Sequence, residues 1–253
     1  MLPLYDAIHN FEGIQHILAR HEQGATHEAE GYAKSSGKVG VVVVTSGPGA
    51  TNAVTGIADA YLDSVPLLVF TGQVGRQSIG KDAFQEADTV GITAPITKYN
   101  YQIRETADIP RIVTEAYYLA RTGRPGPVEI DLPKDVSTLE VTEINDPSLN
   151  LPHYHESEKA TDEQLQELLT ELSVSKKPVI IAGGGINYSG SVDIFRAFVE
   201  KYQIPVVSTL LGLGTLPISH ELQLGMAGMH GSYAANMALV EADYIINLSL
   251  IHI

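Results

Sequence analysis

The sequence of 253 residues contains no cysteine. This absence excludes disulfide bonds, zinc sites built from thiolates and a thiol nucleophile. Basic residues are also few, since 16 lysines and arginines stand against 30 aspartates and glutamates, for a net charge of −14. Because like charges repel, this balance argues against nucleic acid or an anionic membrane as a partner.

Long apolar runs are absent too. No stretch approaches the roughly 18–20 apolar residues of a membrane-spanning helix, and residues 1–6 lack the basic start and apolar core of a signal peptide. With the lack of cysteine, this favours a cytoplasmic protein. The length suits one large or two ordinary domains, and a hydrophobic fraction of 44% is enough for a sizeable core.

Short apolar runs alternate along the chain with segments of helical periodicity. Residues 39–45 are mostly valine without alternation, which is typical of a strand covered on both faces of a parallel sheet. Further strands are predicted at 66–71, 98–103, 127–132, 178–182, 205–209 and 244–248. Helices are predicted at 22–34, 51–63, 110–121, 162–173, 191–201 and 232–242, and residues 4–17 are predicted to form a helix and then a short strand. This alternation predicts an α/β fold with a doubly wound parallel sheet.

Prolines and asparagines interrupt the periodicity between residues 137 and 159. We therefore expect two domains, 1–150 and 151–253. The polar loop 72–88 is long for a compact domain, and loops of this length are usually functional or mobile.

The turn 46–52 reads Ser-Gly-Pro-Gly-Ala-Thr-Asn and follows the valine strand. Ligands bind parallel sheets at the carboxyl ends of the strands, and glycines let the backbone approach a ligand closely. A plain strand-to-helix turn would use the same residues. Glu22 begins the preceding helix, where a solvated glutamate that complements the helix dipole is the commoner explanation.

The stretch RHEQGATHEAEGYAKSSGKVGVVVVTSGPGATN, residues 20–52, closely resembles the pyrimidine-binding domain of thiamine-diphosphate enzymes. Within them the chain is most similar to the FAD-containing acetolactate synthase catalytic subunits. The similarity continues through TGQVGRQSIGKDAFQEAD, RTGRPGPVEIDLPKDV, AGGG, TLLGLG and GMAGMHGSYAANM. It implies a pyrimidine-binding domain that lacks its first strand, followed by a partial Rossmann-like central domain.

The resemblance also implies roles for individual residues. Glu22 would hydrogen-bond the aminopyrimidine ring of thiamine diphosphate as the activating acid, in a dry pocket that sets its pKa. Pro48 and Asn52 would line the same ring. Gln85 would lie near the cofactor and the first substrate, and it would be a catalytic residue with Glu22. Phe84 and Lys134 would lie along the substrate channel, although a surface loop and an ordinary exposed lysine explain them as well.

An FAD site is implied by motifs in the second half of the chain. Arg124 would contact the flavin nucleotide, because its planar fork suits a diphosphate, although an arginine at a helix end often only complements the dipole. The remaining residues implied are Gly183, Gly184, Gly185, Thr209, Leu210, Gly228, Met229, His230 and Gly231. Simple turns and a structural histidine are the alternatives, and no histidine spacing predicts a metal site.

The implied activity is decarboxylation of pyruvate on thiamine diphosphate and its ligation to pyruvate or 2-oxobutanoate. The family's third domain, which binds the diphosphate through Mg²⁺, has no counterpart here, since no Gly-Asp-Gly…Asn motif occurs. The chain is thus expected to be truncated at both ends, to diverge from the family over 249–253 and to be inactive alone. The intact protein is expected to be a dimer or larger, and a regulatory small subunit is possible. Pyruvate oxidase and glyoxylate carboligase remain alternatives.

Overall fold

The computed structural model describes residues 1–156 and 159–249 and divides the chain into two compact units, Met1–Ser157 and Glu158–Ile253. The boundary thus follows residue 157 rather than the predicted residue 150. The difference has a packing reason, because Leu151 and Tyr154 lie against a hydrophobic core of the first unit.

The first unit contains a four-stranded parallel sheet in the order β1-β2-β4-β3. Its helices and strands are α1 (Leu2–His9), α2 (Glu22–Ser36), β1 (Gly40–Val44), α3 (Pro48–Leu62), β2 (Leu67–Gln73), α4 (Thr89–Thr93), β3 (Tyr99–Gln102), α5 (Ile109–Arg121) and β4 (Pro127–Pro133). Short 3₁₀ turns occur at Arg76–Ser78, Ala94–Ile96 and Thr106–Asp108.

Two hydrophobic cores lie on opposite faces of this sheet. Val42, Val44, Leu67 and Val69 pack with α2 and α3 on one face. Leu68 and the alternate residues of β4 pack with α5 on the other, because successive side chains of a strand point to opposite faces. The predicted doubly wound arrangement follows from this division.

The prediction that the valine strand is covered on both faces is wrong at one position. Val41 keeps 56% of its surface exposed. β1 is an edge strand in this sheet, so the helices that cover the central strands β2 and β4 leave one of its faces partly open.

Helices α2 and α3 cross at two small residues. A Cβ placed on Gly56 would lie 2.6 Å from the Cβ of Thr26, and Thr26 itself is fully buried. Real carbon atoms do not approach so closely, so the glycine lets the two helix backbones come together. The crossing fixes the relation between the first turn of α2 and the first turn of α3.

The second unit contains another four-stranded parallel sheet, in the order β7-β6-β5-β8. Its elements are α6 (Asp162–Val174), β5 (Pro178–Ala182), α7 (Gly185–Tyr188), α8 (Val192–Tyr202), β6 (Val206–Ser208), a 3₁₀ turn at Leu210–Gly212, β7 (Gln223–Met226), α9 (Tyr233–Glu241) and β8 (Tyr244–Leu248). Phe195 and Val199 of α8 are buried against Ile180 and Val206 of the sheet.

The short strand expected before residue 17 does not form. The chain from 10 to 20 has no helix or strand, and Phe11, Ile14, Ile17 and Leu18 are each more than half exposed. In the part of the chain that the structure describes, no sheet edge pairs with this segment, and its apolar residues stay exposed. Of the divergent tail, residues 250–253 lie outside the described residues.

Three described elements were not predicted: α4, α7 and β7. Each is five residues or shorter. Among the described residues, no helix combines the length and the apolar character needed to cross a membrane.

Candidate functional site

The N-terminal ends of α2 and α3 bring Glu22 and Asn52 together at the carboxyl end of β1. Asn52 Nδ2 donates a hydrogen bond to Glu22 Oε2 at 3.1 Å. Glu22 is the first residue of α2, and His21 caps that helix by accepting a hydrogen bond from the amide of Gln23. The two helix N-termini therefore carry the acid and its donor to the same end of the sheet.

Glu22 is an ionised, partly exposed carboxylate in this chain. The hydrogen bond from Asn52 lowers the pKa of Glu22 below its ordinary value, and burial opposes this only in part. The expected dry pocket is not formed by these residues. The helix dipole at the start of α2 and the amide of Asn52 both favour the charged form.

Gly49 lies under the carboxylate of Glu22. A Cβ on Gly49 would be 3.5 Å from Glu22 Oε1 and 2.7 Å from Thr45 Cγ2. Any larger residue at position 49 would press on Thr45 and narrow the space beside the acid. Because glycine has no side chain, the space beside the carboxylate of Glu22 stays open.

Gly47 holds the turn against the loop that carries Phe84 and Gln85. Its φ of 59° and ψ of −111° are close to those of the first central residue of a type II′ turn, a position dominated by glycine. A Cβ on Gly47 would lie 2.6 Å from the carbonyl oxygen of Gln85, which itself has a φ of 59°. The loop and the turn therefore touch through backbone atoms.

The exchange Gly47→Ala is expected to lower the free energy of unfolding by about 1–3 kcal/mol, since it adds backbone strain and a contact with Gln85. Gly80→Ala is the matched control, because Gly80 has a φ of 79° but open space around its Cα. Urea unfolding of both variants measures the difference. Equal losses would show that the contact with Gln85 carries no energy.

The other predicted side chains at this edge are open to solvent. Phe84 is 88% exposed, and Pro48, Gln85 and Lys134 are also exposed. Lys134 follows β4, where its amide donates to the carbonyl of Gln73 at 3.0 Å. The structure thus places all four at the carboxyl edge of the sheet, with their side chains free to meet a ligand or another surface.

Sequence reasoning missed Tyr5 at this edge. Its hydroxyl donates to the carbonyl of Val43 at 2.9 Å. Burial, and then the charge of Glu22, raise the pKa of Tyr5. No sequence signal announces this contact, because α1 reaches the edge through tertiary packing alone.

Arg124 lies at the opposite, amino end of the sheet. Its Nε donates to Ser64 Oγ at 2.9 Å and its Nη2 to the carbonyl of Tyr61 at 3.0 Å. The guanidinium also lies 5.3 Å from the ring centre of Tyr61. These contacts tie Arg124 to the end of α3, which is the role of an arginine beside a helix C-terminus.

The predicted FAD residues of the second unit gather at the carboxyl ends of three adjacent strands. Gly183 to Gly185 follow β5, Thr209 and Leu210 follow β6, and Gly228 to Gly231 follow β7. Met229 and Leu210 are strongly exposed there, at 94% and 69%. This edge has the form of a ligand site of an open parallel sheet.

The glycines of this edge also have reasons within the chain. A Cβ on Gly183 would lie 2.0 Å from the carbonyl oxygen of Ser249, and one on Gly184 would lie 2.8 Å from Leu211 Cβ. Gly228 has a φ of 103°, and its amide and carbonyl both bond the side chain of Asn236. Close packing of the chain on itself thus accounts for these glycines without a ligand.

One cluster of possible metal ligands occurs among the described residues, at His27, Glu30 and Asp59. The ammonium group of Lys34 lies 2.7 Å from Glu30 Oε1 and 2.7 Å from Asp63 Oδ2. This lysine already supplies positive charge to the cluster. The cluster joins α2 to α3 further along α2 than Glu22.

Comparison with known families identifies both units. Residues 1–92 match the family described as thiamine pyrophosphate enzyme, N-terminal TPP binding domain. Residues 165–250 match the central domain of the same enzymes. The chain belongs to the thiamine pyrophosphate enzymes. The two parallel sheets are those of the N-terminal and central domains of this family, and the predicted fold class is confirmed.

Curated relatives of this family agree with the resemblance found in the sequence. The chain is 99% identical to an acetolactate synthase large subunit of Lactococcus lactis over 98% of its length, and it covers 43% of that protein. Identity is 49% with the large subunit of Corynebacterium glutamicum, with 97% of this chain and 39% of the relative covered. The identity is 47% with the isozyme 3 large subunit of Escherichia coli, and the match covers 97% of this chain and 43% of that relative. The chain therefore spans less than half the length of these relatives.

Proposed function

We propose that this chain is part of the catalytic subunit of an acetolactate synthase. The complete protein would decarboxylate pyruvate and join the two-carbon unit to pyruvate or 2-oxobutanoate, in branched-chain amino-acid biosynthesis. The observation that carries the proposal is the contact between Glu22 and Asn52 beside Gly49, in a chain that is 99% identical to such a subunit.

Glu22, Asn52, Pro48 and Gly49 would hold the aminopyrimidine ring. Glu22 would accept a hydrogen bond from a protonated ring nitrogen, and its negative charge would stabilise that proton. Asn52 would fix the orientation of the carboxylate, as it does here at 3.1 Å. When bound, thiamine diphosphate supplies the electron sink for decarboxylation.

Gln85, Phe84 and Lys134 would meet the substrate. Gln85 is held against Gly47 through its backbone, so its side chain is presented beside the same turn. Phe84 has 88% of its surface free to cover an apolar part of the cofactor or a substrate. Lys134 would place a positive charge where a 2-keto acid enters.

FAD would bind at the carboxyl edge of the second sheet. Gly183, Gly184, Gly185, Thr209 and Leu210 would approach it from β5 and β6, and the 228–231 turn from β7. A site for a ligand at this edge is supported by Asn247 in β8, whose buried Oδ1 has no hydrogen-bond donor among the described residues. Arg124 belongs to the first unit, and its proposed contact with FAD rests on the family motif alone.

The remaining parts of the proposal rest on the family. Mg²⁺ would be held by residues outside these 253, and the intact protein would be a homodimer or larger assembly. A regulatory small subunit is a natural partner, since several relatives are named large subunits. A cytoplasmic location fits the absence of cysteine.

Product analysis tests the activity. The full-length protein, supplied with pyruvate, thiamine diphosphate, Mg²⁺ and FAD, is expected to form acetolactate. Acetate or, from glyoxylate, tartronate semialdehyde as the main product would instead identify a pyruvate oxidase or a glyoxylate carboligase. The 253-residue chain, assayed beside it, is expected to form no acetolactate, because it has no Gly-Asp-Gly…Asn sequence.

A further inference from the structure

A buried polar network lies on the face of the first sheet that packs against α3 and α4. The strand register aligns Glu129 with Asn100, and Thr71 with Asp131 and Gln102. Thr71, Glu129 and Asp131 have no exposed surface. The network consists of Thr71, Gln73, Asn100, Gln102, Glu129 and Asp131.

Hydrogen-bond accounting places a proton on one of the two carboxyl groups. Thr71 Oγ1 lies 2.5 Å from Glu129 Oε1 and 3.1 Å from Asp131 Oδ1. A hydroxyl group has one hydrogen, so Thr71 can donate to only one of these oxygens. The other contact needs a hydrogen from the carboxyl group, because two unprotonated oxygens at this distance would only repel.

The donors around each carboxyl group indicate which one carries the proton. Asp131 Oδ2 accepts from Gln102 Nε2 at 3.0 Å and from Gln73 Nε2 at 3.2 Å. Besides Thr71, the one described side chain that bonds Glu129 is Asn100, whose Nδ2 lies 3.4 Å from Oε2. Donors stabilise a charged carboxylate, so Asp131 is the ionised member. Glu129 then donates to Thr71, which donates to Asp131.

The charges near the pair work against a second carboxylate. Asp131 lies on the same strand as Glu129 and raises its pKa by charge repulsion. Asp88, at the start of α4, raises the pKa of Asp131 in the same way. The strands β2 and β3 and helix α4 contribute threonine, glutamine and asparagine side chains, and α3 contributes apolar ones. Among the described residues no cation pairs with either group. Burial raises the pKa of Glu129 to about 8 and also raises that of Asp131.

Gln73 connects this network to the loop beside the candidate site. Its Nε2 donates both to Asp131 Oδ2 and to the carbonyl of Ala87 at 2.8 Å. Ala87 lies two residues after Gln85, whose backbone rests on Gly47. The position of segment 83–88 therefore depends on the hydrogen bonds of Asp131.

We propose that Glu129 keeps its proton at neutral pH, and that this proton completes the donor chain that holds segment 83–88 on the sheet. When alkaline pH removes the proton, the hydroxyl group of Thr71 donates to Glu129 and no longer to Asp131. Asp131 then has one hydrogen-bond donor fewer, and the negative charge of Glu129 lies beside it. The segment then loosens. This device lies outside the proposed function, so either can fail without the other.

The sign of the pH dependence follows from the two protonation states. The pKa of Glu129 is about 8 in the folded chain and ordinarily 4.5. The stability that its neutral burial provides is fully present below pH 4.5 and is lost as the pH rises through 8. Between these values the folded state holds one more proton than the unfolded state. The unfolding equilibrium constant then rises about tenfold per pH unit relative to the variant Glu129→Gln.

Two measurements on the 253-residue chain test the proposal. With ¹³C-labelled glutamate, one carboxyl signal should keep the shift of the protonated acid at neutral pH, titrate near 8 and vanish in Glu129→Gln. Hydrogen-exchange protection factors of 83–88 should fall above pH 8 in the unmodified chain and stay constant in Glu129→Gln, whose amide can replace the acid as donor to Thr71.

Glu115→Gln is the matched control. Glu115 is also buried, at 2% exposure, but it lies on α5 and pairs with Arg111 at 2.9 Å. This variant should retain the titrating signal and the pH-dependent protection. The titration of the unmodified chain decides the matter even if a variant does not fold. A spectrum with every glutamate ionised at neutral pH, or a pH dependence that Asp131→Asn removes and Glu129→Gln retains, would overturn the proposal.

Discussion

The exchange Glu22→Gln in the full-length protein is expected to lower kcat for acetolactate formation by about 10²–10⁴-fold, the usual contribution of a positioned acid or base. Glutamine keeps the size of the side chain and can still accept from Asn52. It has no negative charge, however, with which to stabilise a proton on the ring nitrogen. Initial rates at saturating thiamine diphosphate measure the loss directly.

Glu28→Gln provides the control for this exchange. Glu28 lies on the same helix and is exposed, so removal of its charge should leave kcat within a factor of two or so, as for a surface site with little energetic role. A tenfold or smaller loss in Glu22→Gln would mean that another group activates the cofactor. Far-UV circular dichroism of both variants separates loss of chemistry from loss of folding.

Ile57→Ala is expected to destabilise the first unit by about 2–5 kcal/mol, the range for truncation of a buried isoleucine. Ile57 has no exposed surface and lies in α3, within the core that contains Val42, Val44 and Val69. The removed methyl groups leave a cavity that α3 cannot close, because its crossing with α2 is already tight at Gly56. Hydrogen exchange of the β1 and β2 amides in urea reports this unit separately.

Leu62→Ala serves as the comparison, because Leu62 ends the same helix with 67% of its surface exposed. Its loss should stay within about 0.5 kcal/mol, as for most surface exchanges. The amides of β5 should be unaffected in both variants, since they belong to the other unit. A loss below about 1 kcal/mol in Ile57→Ala would show that the core repacks around the gap.

The sequence predicted the elements that carry strong local signals. The valine run 39–45 and the Gly-Pro-Gly turn gave a strand and a helix start, and strands β5 and β8 have the predicted bounds. Prolines at the starts of α3 and α5 mark where these helices begin. These signals depend on residues close together in the sequence, so they predict helices and strands without knowledge of the tertiary fold.

Features that depend on distant partners could not be predicted. The strand at 127–133 alternates polar and apolar residues, yet all seven positions are buried, because β4 is central and both of its faces are covered. A short strand was predicted at the end of segment 4–17, but no sheet edge among the described residues pairs with it. The state of Glu22 depends on Asn52, thirty positions away, and on how much of the carboxylate stays open to water.

The meeting of Thr26 with Gly56 has a bearing on attempts to engineer this protein. Where long side chains separate two helices, a change of rotamer can alter the distance between them. Here Thr26 Cβ packs directly on the backbone of Gly56, so no rotamer change can alter that distance. A designer who wants room for a bulkier cofactor analogue would gain little by altering the interhelical distance. Replacing Thr45, whose Cγ2 crowds position 49, by a smaller residue would enlarge the cleft and leave the helix crossing and the contact of Asn52 with Glu22 in place.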